Sequence, residues 1–153
     1  MTTDISVTRD IAAPPAKVWA LVSDLPRMGE FSPENTGGKW VRGATGPAVG
    51  ARFVGSNRNG KKKWTTTCTI SECESPRVFA FDVAVGPVKV ARWEYRIEPL
   101  DNGGSRVTET WSDRRGWLAK KLGGPASGVD DRANYNRTGM EETLRRLGDA
   151  ATA

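Results

Sequence analysis

Histidine is absent from the 153 residues. Its absence removes the commonest general base, the Ser/His and Cys/His nucleophile pairs and every His-ligated metal site. Any catalysis by this chain falls to carboxylates, hydroxyls, Arg/Lys or thiols. Only two thiols exist, Cys68 and Cys73, too few for a thiolate metal cluster. Five residues apart in a strand, they should face opposite ways and stand about 16 Å apart, beyond the roughly 7 Å Cα limit of a disulfide. Reduced thiols and a cytoplasmic location are therefore expected. Long apolar runs are missing as well: no window approaches the roughly 18 residues of a membrane span. Met1-Thr2-Thr3-Asp4 has neither the basic nor the apolar region of a secretory signal.

What is present describes a globule. The length fits one domain over 1–153, and six Trp, four Phe and two Tyr among 37% hydrophobic residues supply large side chains to bury. Net charge is +5, yet it is local: between Asn35 and Ser71 lie seven basic residues and no acid, against 16 basic and 18 acidic elsewhere. Lys61-Lys62-Lys63 follows Asn59-Gly60, a turn signal, so these lysines read as a solvated hairpin tip, with a phosphate or anionic-lipid contact as the alternative. Basic residues interleaved with exposed aromatics, the mark of nucleic-acid binding, are not seen, and no nucleic-acid partner is expected.

Hydrophobic alternation from Ile5 to Ile11 predicts a first strand. Pro14-Pro15 then opens a short helix with Val18, Leu21, Val22 and Leu25 on one face, stopped by Pro26. The middle alternates β-rich runs (39–42, 51–57, 63–73, 77–83, 88–100 and 106–113) with Gly/Pro/Asn turns, the pattern of an antiparallel meander. After Gly128, the spacing of Val129, Ala133, Asn136, Met140, Leu144 and Leu147 predicts an amphipathic helix of about 20 residues. The expected class is α+β, with one long helix covering one face of a six- or seven-stranded sheet.

That covered face can be read by alternation. It receives Phe53, then Trp64, Thr66, Cys68 and Ile70, then Phe79, Phe81 and Val83. Ala91, Trp93, Tyr95 and Ile97 follow on the next strand, and Val107, Glu109 and Trp111 on the last. Glu109 is the anomaly, a carboxylate on an apolar phase, where it needs a partner or a raised pKa. It either orients a ligand or moves protons, or it sits at the sheet's wet end or pairs with an arginine such as Arg132 or Arg137. Asn136 interrupts the helix stripe in the same way and can bond a ligand or a backbone group. Tyr95 and Thr66 add hydroxyls; Cys68 is expected to be an inert thiol.

The run Ile11-Ala12-Ala13-Pro14-Pro15-Ala16-Lys17-Val18-Trp19-Ala20-Leu21-Val22-Ser23-Asp24-Leu25 resembles the opening of the SRPBCC superfamily, the START-related helix-grip group, in its polyketide cyclase/dehydrase branch. Phe31-Ser32-Pro33-Glu34 in the second-helix position, Gly50-Ala51-Arg52-Phe53 and Gly139-Met140-Glu141-Glu142-Thr143-Leu144 agree in order, so the resemblance spans the chain. It implies two short helices after the first strand and a curved sheet gripping the C-terminal helix around a deep apolar cavity for lipids, sterols or polyketides. Fold alone does not set the function. On this reading, Phe53, Trp64, Thr66, Cys68, Phe79 and Phe81 wall the cavity. Trp93, Tyr95, Glu109, Trp111, Asn136 and Met140 complete it.

Between the last strand and the long helix, Trp117, Leu118 and Leu122 stand among Arg114, Arg115, Lys120 and Lys121. The segment reads as a lid hinged at Gly116 and Gly123-Gly124, as a plain connector, or as a short interfacial piece too small for stable membrane insertion. Without paired carboxylates, a metal constellation or a phosphate loop, non-catalytic binding of a hydrophobic small molecule is the leading expectation, with no cofactor. An aromatase/cyclase using Glu109 and Tyr95 is the alternative, and a ligand-free interaction module using the basic hairpin is a third. The sequence leaves the oligomeric state open.

Overall fold

The structure, a computed structural model, describes residues 4–129 and 131–153; Met1–Thr3 of the N-terminal reading lie outside them. β1 (Asp4–Ile11) leads into α1 (Pro15–Val22) and a 3-10 helix (Leu25–Glu30). Six strands follow: β2 (Asn35–Val41), β3 (Arg52–Asn59), β4 (Lys62–Glu74), β5 (Val78–Val85), β6 (Val88–Pro99) and β7 (Ser105–Asp113). Two helices end the chain, α2 (Trp117–Ser127) and α3 (Arg132–Thr152).

The strands form one antiparallel sheet in the order β1-β7-β6-β5-β4-β3-β2. Consecutive strands from β2 to β7 pair as a meander, and only β1 departs from sequence order by joining β7. α1 and the 3-10 helix therefore carry the chain from one sheet edge to the other. Pro26 does not end that path; it sits in the first turn of the 3-10 helix, where the missing N–H costs nothing. The second helix thus lies before Phe31-Ser32-Pro33-Glu34, not on it.

Register shifts fall at Asn35/Gly37, Ile70/Glu72 and Val83/Ala84. Such bulges bend and twist their strands, which curves the sheet around α3. The bulge at Ile70/Glu72 also overturns the expected placement of the cysteines. Beyond it Cys73 pairs with Phe79, as Cys68 pairs with Val83, so both return to the helix-facing phase. Both are free thiols.

α3 buries Asn136, Met140, Leu144 and Leu147 on one stripe. Each of its large apolar side chains contributes roughly 1.5–3 kcal/mol by leaving water. Opposite them the sheet presents Phe53, Ile70, Phe79, Tyr95, Val107 and Trp111, all buried. α1 closes the same core with Val18 and Val22, while Trp19 meets Phe79 edge to face at 5.8 Å. At the β2 edge, Gly38 has no room for a side chain: a Cβ there would strike the Val54 carbonyl and come within 2.7 Å of the Phe53 ring. No described helix is long and apolar enough to cross a membrane.

Candidate functional site

Alternation along β6 and β7 puts Tyr95 and Glu109 side by side as a register pair, with Trp93 opposite Trp111 and Ile97 opposite Val107. The Glu109 carboxyl is thus framed by apolar rows and is only 2% exposed. Tyr95, itself buried, hydrogen-bonds it. The arginine partners anticipated for Glu109 are not there. Arg132 is engaged by Glu34 instead, and among the described residues no ion pair involves Arg137 or Glu109.

One oxygen of Glu109, Oε2, is buried with no hydrogen-bond partner. Burial pushes the carboxyl up from its ordinary 4.5 to about 8, with the Tyr95 hydrogen bond opposing the rise. Burial likewise raises the Tyr95 phenol well above its ordinary range, and the neighbouring Glu109 charge adds to the effect. Near neutral pH the pair is uncharged: Tyr95 O–H donates to one side of an un-ionised carboxylic acid, whose other side is bare. Such an acid can donate a hydrogen bond to a carbonyl or hydroxyl oxygen, or deliver a proton to one.

A second polar group gathers where α3 begins. Arg132 Nη1 donates to both oxygens of Glu34, at 2.9 and 2.8 Å, and reaches Asn136 Oδ1 at 3.3 Å. Its guanidinium lies 5.9 Å from the centre of the Trp64 ring and 5.1 Å from that of Tyr135, within cation–π range. Alongside runs a row of side chains on the helix-facing phase of β3 and β4. Asn57 Nδ2 donates to Thr66 Oγ1 at 3.2 Å, and Asn35 Nδ2 reaches Asn57 Oδ1 at 3.5 Å. Thr66 in turn hydrogen-bonds Cys68, whose thiol burial pushes up to about 12, so that thiol is inert.

The candidate residues therefore sort into a dry part and a wetter part. Phe53, Cys68, Phe79, Phe81, Tyr95, Glu109, Trp111, Asn136 and Met140 are buried, whereas Trp64, Thr66 and Trp93 are half-buried. Glu109 meets Tyr95 and Asn136 meets Arg132; no hydrogen bond joins the two pairs among the described residues. Two surface hollows can be outlined, about 480 Å³ beside the β2–β3 connection and about 900 Å³ along Arg52, Thr67, Asp82 and Arg92. Neither is lined by a residue of α3.

Glu34, Asn35, Asn57 and Tyr135 were not singled out by sequence reasoning. Asn57 could have been, since it continues the alternation that selects Phe53. Glu34 appeared only as the end of the Phe31-Ser32-Pro33-Glu34 motif and as the last acid before the acid-free stretch, and neither points to Arg132.

The family described as polyketide cyclase / dehydrase and lipid transport matches residues 2–152. A Polyketide_cyc-like protein of Corynebacterium glutamicum, solved by NMR, is 32% identical, with a TM-score of 0.65 over 97% of this chain and 90% of that one. The di-domain ARO/CYC StfQ of the steffimycin biosynthetic pathway superposes with a TM-score of 0.76 at 12% identity, over 99% of this chain and 51% of that one. A major latex-like protein of Panax ginseng gives 0.71 at 12% identity, over 99% of both chains. No match is found among curated proteins.

Proposed function

Because the chain belongs to the polyketide cyclase/dehydrase and lipid transport family, whose helix-grip fold is a hydrophobic-ligand-binding one, we propose that it binds a hydrophobic small molecule between the sheet and α3, with Glu109 as the polar anchor. The observation that carries this reading is the bare, buried Oε2 of Glu109. A polar atom left unpaired in the interior costs about 1–3 kcal/mol, and a ligand oxygen beside it would recover that loss. The apolar body of the ligand lies against Phe79, Phe81, Trp93, Trp111 and Met140. It enters past Trp64 and Thr66, where the helix-facing wall is half-open to water, and the protein acts in the cytosol.

Native mass spectrometry of the protein purified from its own host tests this. A bound hydrophobic mass is expected on the wild type and reduced at least tenfold on Glu109→Leu. A wild-type protein that carries nothing and takes up nothing from a lipid or polyketide extract would refute it.

A second reading has its own support. A carboxylic acid titrating near 8 beside a phenol is matched to proton transfer at neutral pH, the need of an aldol closure and dehydration. In an aromatase/cyclase, Glu109→Gln retains ligand but abolishes any change in product profile when a poly-β-ketone is supplied. In a carrier, neither protein changes that profile.

A further inference from the structure

α2 is an amphipathic helix turned inside out. Trp117, Leu118 and Leu122 are 77%, 52% and 60% exposed, and Ser127 is its only buried residue. Leu118 lies nine residues before Ser127, about half a rotation away at roughly 100° per residue. The apolar stripe of Trp117, Leu118, Leu122 and Pro125 therefore points away from the protein.

This orientation is fixed by polar anchors at both ends. Asp113, itself buried, accepts from Arg115 Nε and Nη2 at 2.9 Å each and lies 3.8 Å from Lys120 Nζ. At the other end, Asn59 Nδ2 donates to the Ser127 carbonyl at 3.0 Å, and Gly128 ends the helix at φ 74°. The helix runs through Gly123-Gly124, so these glycines are not the hinge the sequence suggested. A lid closing on the core would turn its apolar side inward; this one turns it out.

The charge around the stripe has one sign. From Arg114 to Val129 the chain has four basic residues and no acid. The exposed Lys61–Lys63 tip adjoins the C-terminal end of α2, where a side chain at Gly128 would contact the Lys62 stem at 3.4 Å. Among the described residues, Arg114, Lys61, Lys62, Lys63 and Lys121 have no ion-pair partner. Lys121 also lies between Trp117 and Leu122 on the exposed side. A protein interface would bury that ammonium in its core, where lysine is depleted. A lipid surface lets it snorkel to the phosphates while Trp and Leu enter the acyl boundary.

We propose that α2 and the β3–β4 tip form a docking face for an anionic bilayer surface. Docking is peripheral and reversible, the apolar stripe entering the headgroup boundary and the lysines meeting lipid phosphates. It stands apart from ligand binding at Glu109, because it uses none of the residues proposed to hold the ligand.

Co-sedimentation of the full chain with vesicles tests it, using phosphatidylcholine alone or with about one-third phosphatidylglycerol, a composition chosen to supply the surface potential. Wild type is expected to bind the anionic vesicles at least tenfold more strongly than the neutral ones and to be released by raised salt. Trp117→Ser/Leu118→Ser/Leu122→Ser and Lys61→Gln/Lys62→Gln/Lys63→Gln should each lower binding tenfold or more. Hydrogen exchange on the wild type supplies a check that needs no variant: anionic vesicles should protect 114–127. Wild-type protein that ignores anionic vesicles, or an α2 variant that binds them unchanged, overturns the proposal and leaves the stripe to a protein partner.

Discussion

Glu34 and Glu109 are the same side chain in two opposite settings. Glu34 stands where α3 starts and gives both oxygens to Arg132, an ion pair that pins the beginning of the helix to the beginning of β2. Glu109 stands mid-strand under apolar rows, has a phenol for a neighbour and leaves Oε2 bare. Partnered charge makes the first a structural clamp. Missing charge, with burial holding the proton on, makes the second a chemical group in waiting. The polar interior is thus divided between an ion pair that holds the fold and the carboxyl proposed as the ligand's anchor, and each half can be disturbed separately.

The largest expected effect lies in pH. Glu109 keeps its proton in the folded chain up to about 8, whereas unfolded it has an ordinary value of 4.5. Its contribution to stability is full below the unfolded value and declines as pH rises, until it is lost past the folded value. Between about pH 5 and 8 it should remove about 1.4 kcal/mol per pH unit. Urea titrations across that range should show the decline in wild type and a much flatter profile in Glu109→Gln. Equal slopes would mean that the two glutamates are not different in kind.

Next comes Arg132→Leu, which strips Glu34 of its cation. Both partners are mostly buried, at 13% and 19% side-chain exposure. Because water reaches each, the expected loss is about 2 kcal/mol, below the ~3–5 kcal/mol of a fully buried pair. Thermal unfolding measures it, and Glu34→Gln/Arg132→Leu should recover part of the loss. Smallest is Tyr95→Phe, which costs about 1 kcal/mol for the hydrogen bond. Since that bond holds the Glu109 pKa down, its removal should move the pH-dependent loss to higher pH. A shift to lower pH would mean that Tyr95 is not the group opposing the rise.

How much of this was legible in the sequence depends on distance along the chain. Alternation placed Phe53, Cys68, Phe81, Tyr95, Glu109 and Trp111 on the covered face, because a regular strand carries its own phase. It failed at Cys73, since a bulge inserts a residue and resets that phase. The 3.6-residue period found α3, and its Asn136 indeed lies on the buried stripe. α2 was less readable. Gly123-Gly124-Pro125 argues against a helix, and the contacts that hold it, from Asp113 and Asn59, involve residues outside the segment. Glu34 with Arg132 was unreadable for the same reason: 98 residues separate them, and nothing local couples them. The anomaly of Glu109 was visible, but its partner was not, because a Tyr and a Glu on neighbouring strands meet only once the register is known.

The central claim is that Glu109, not Glu34, meets the ligand. Carbon-13 NMR of protein labelled at glutamate side-chain carboxyls, recorded from pH 5 to 9 with and without a hydrophobic extract of the host, tests it most directly. The Glu109 resonance should titrate near 8 without extract, then shift and change its titration when extract is added, while that of Glu34 stays in place. A Glu109 resonance unmoved by a molecule that native mass spectrometry shows to be bound would contradict the account.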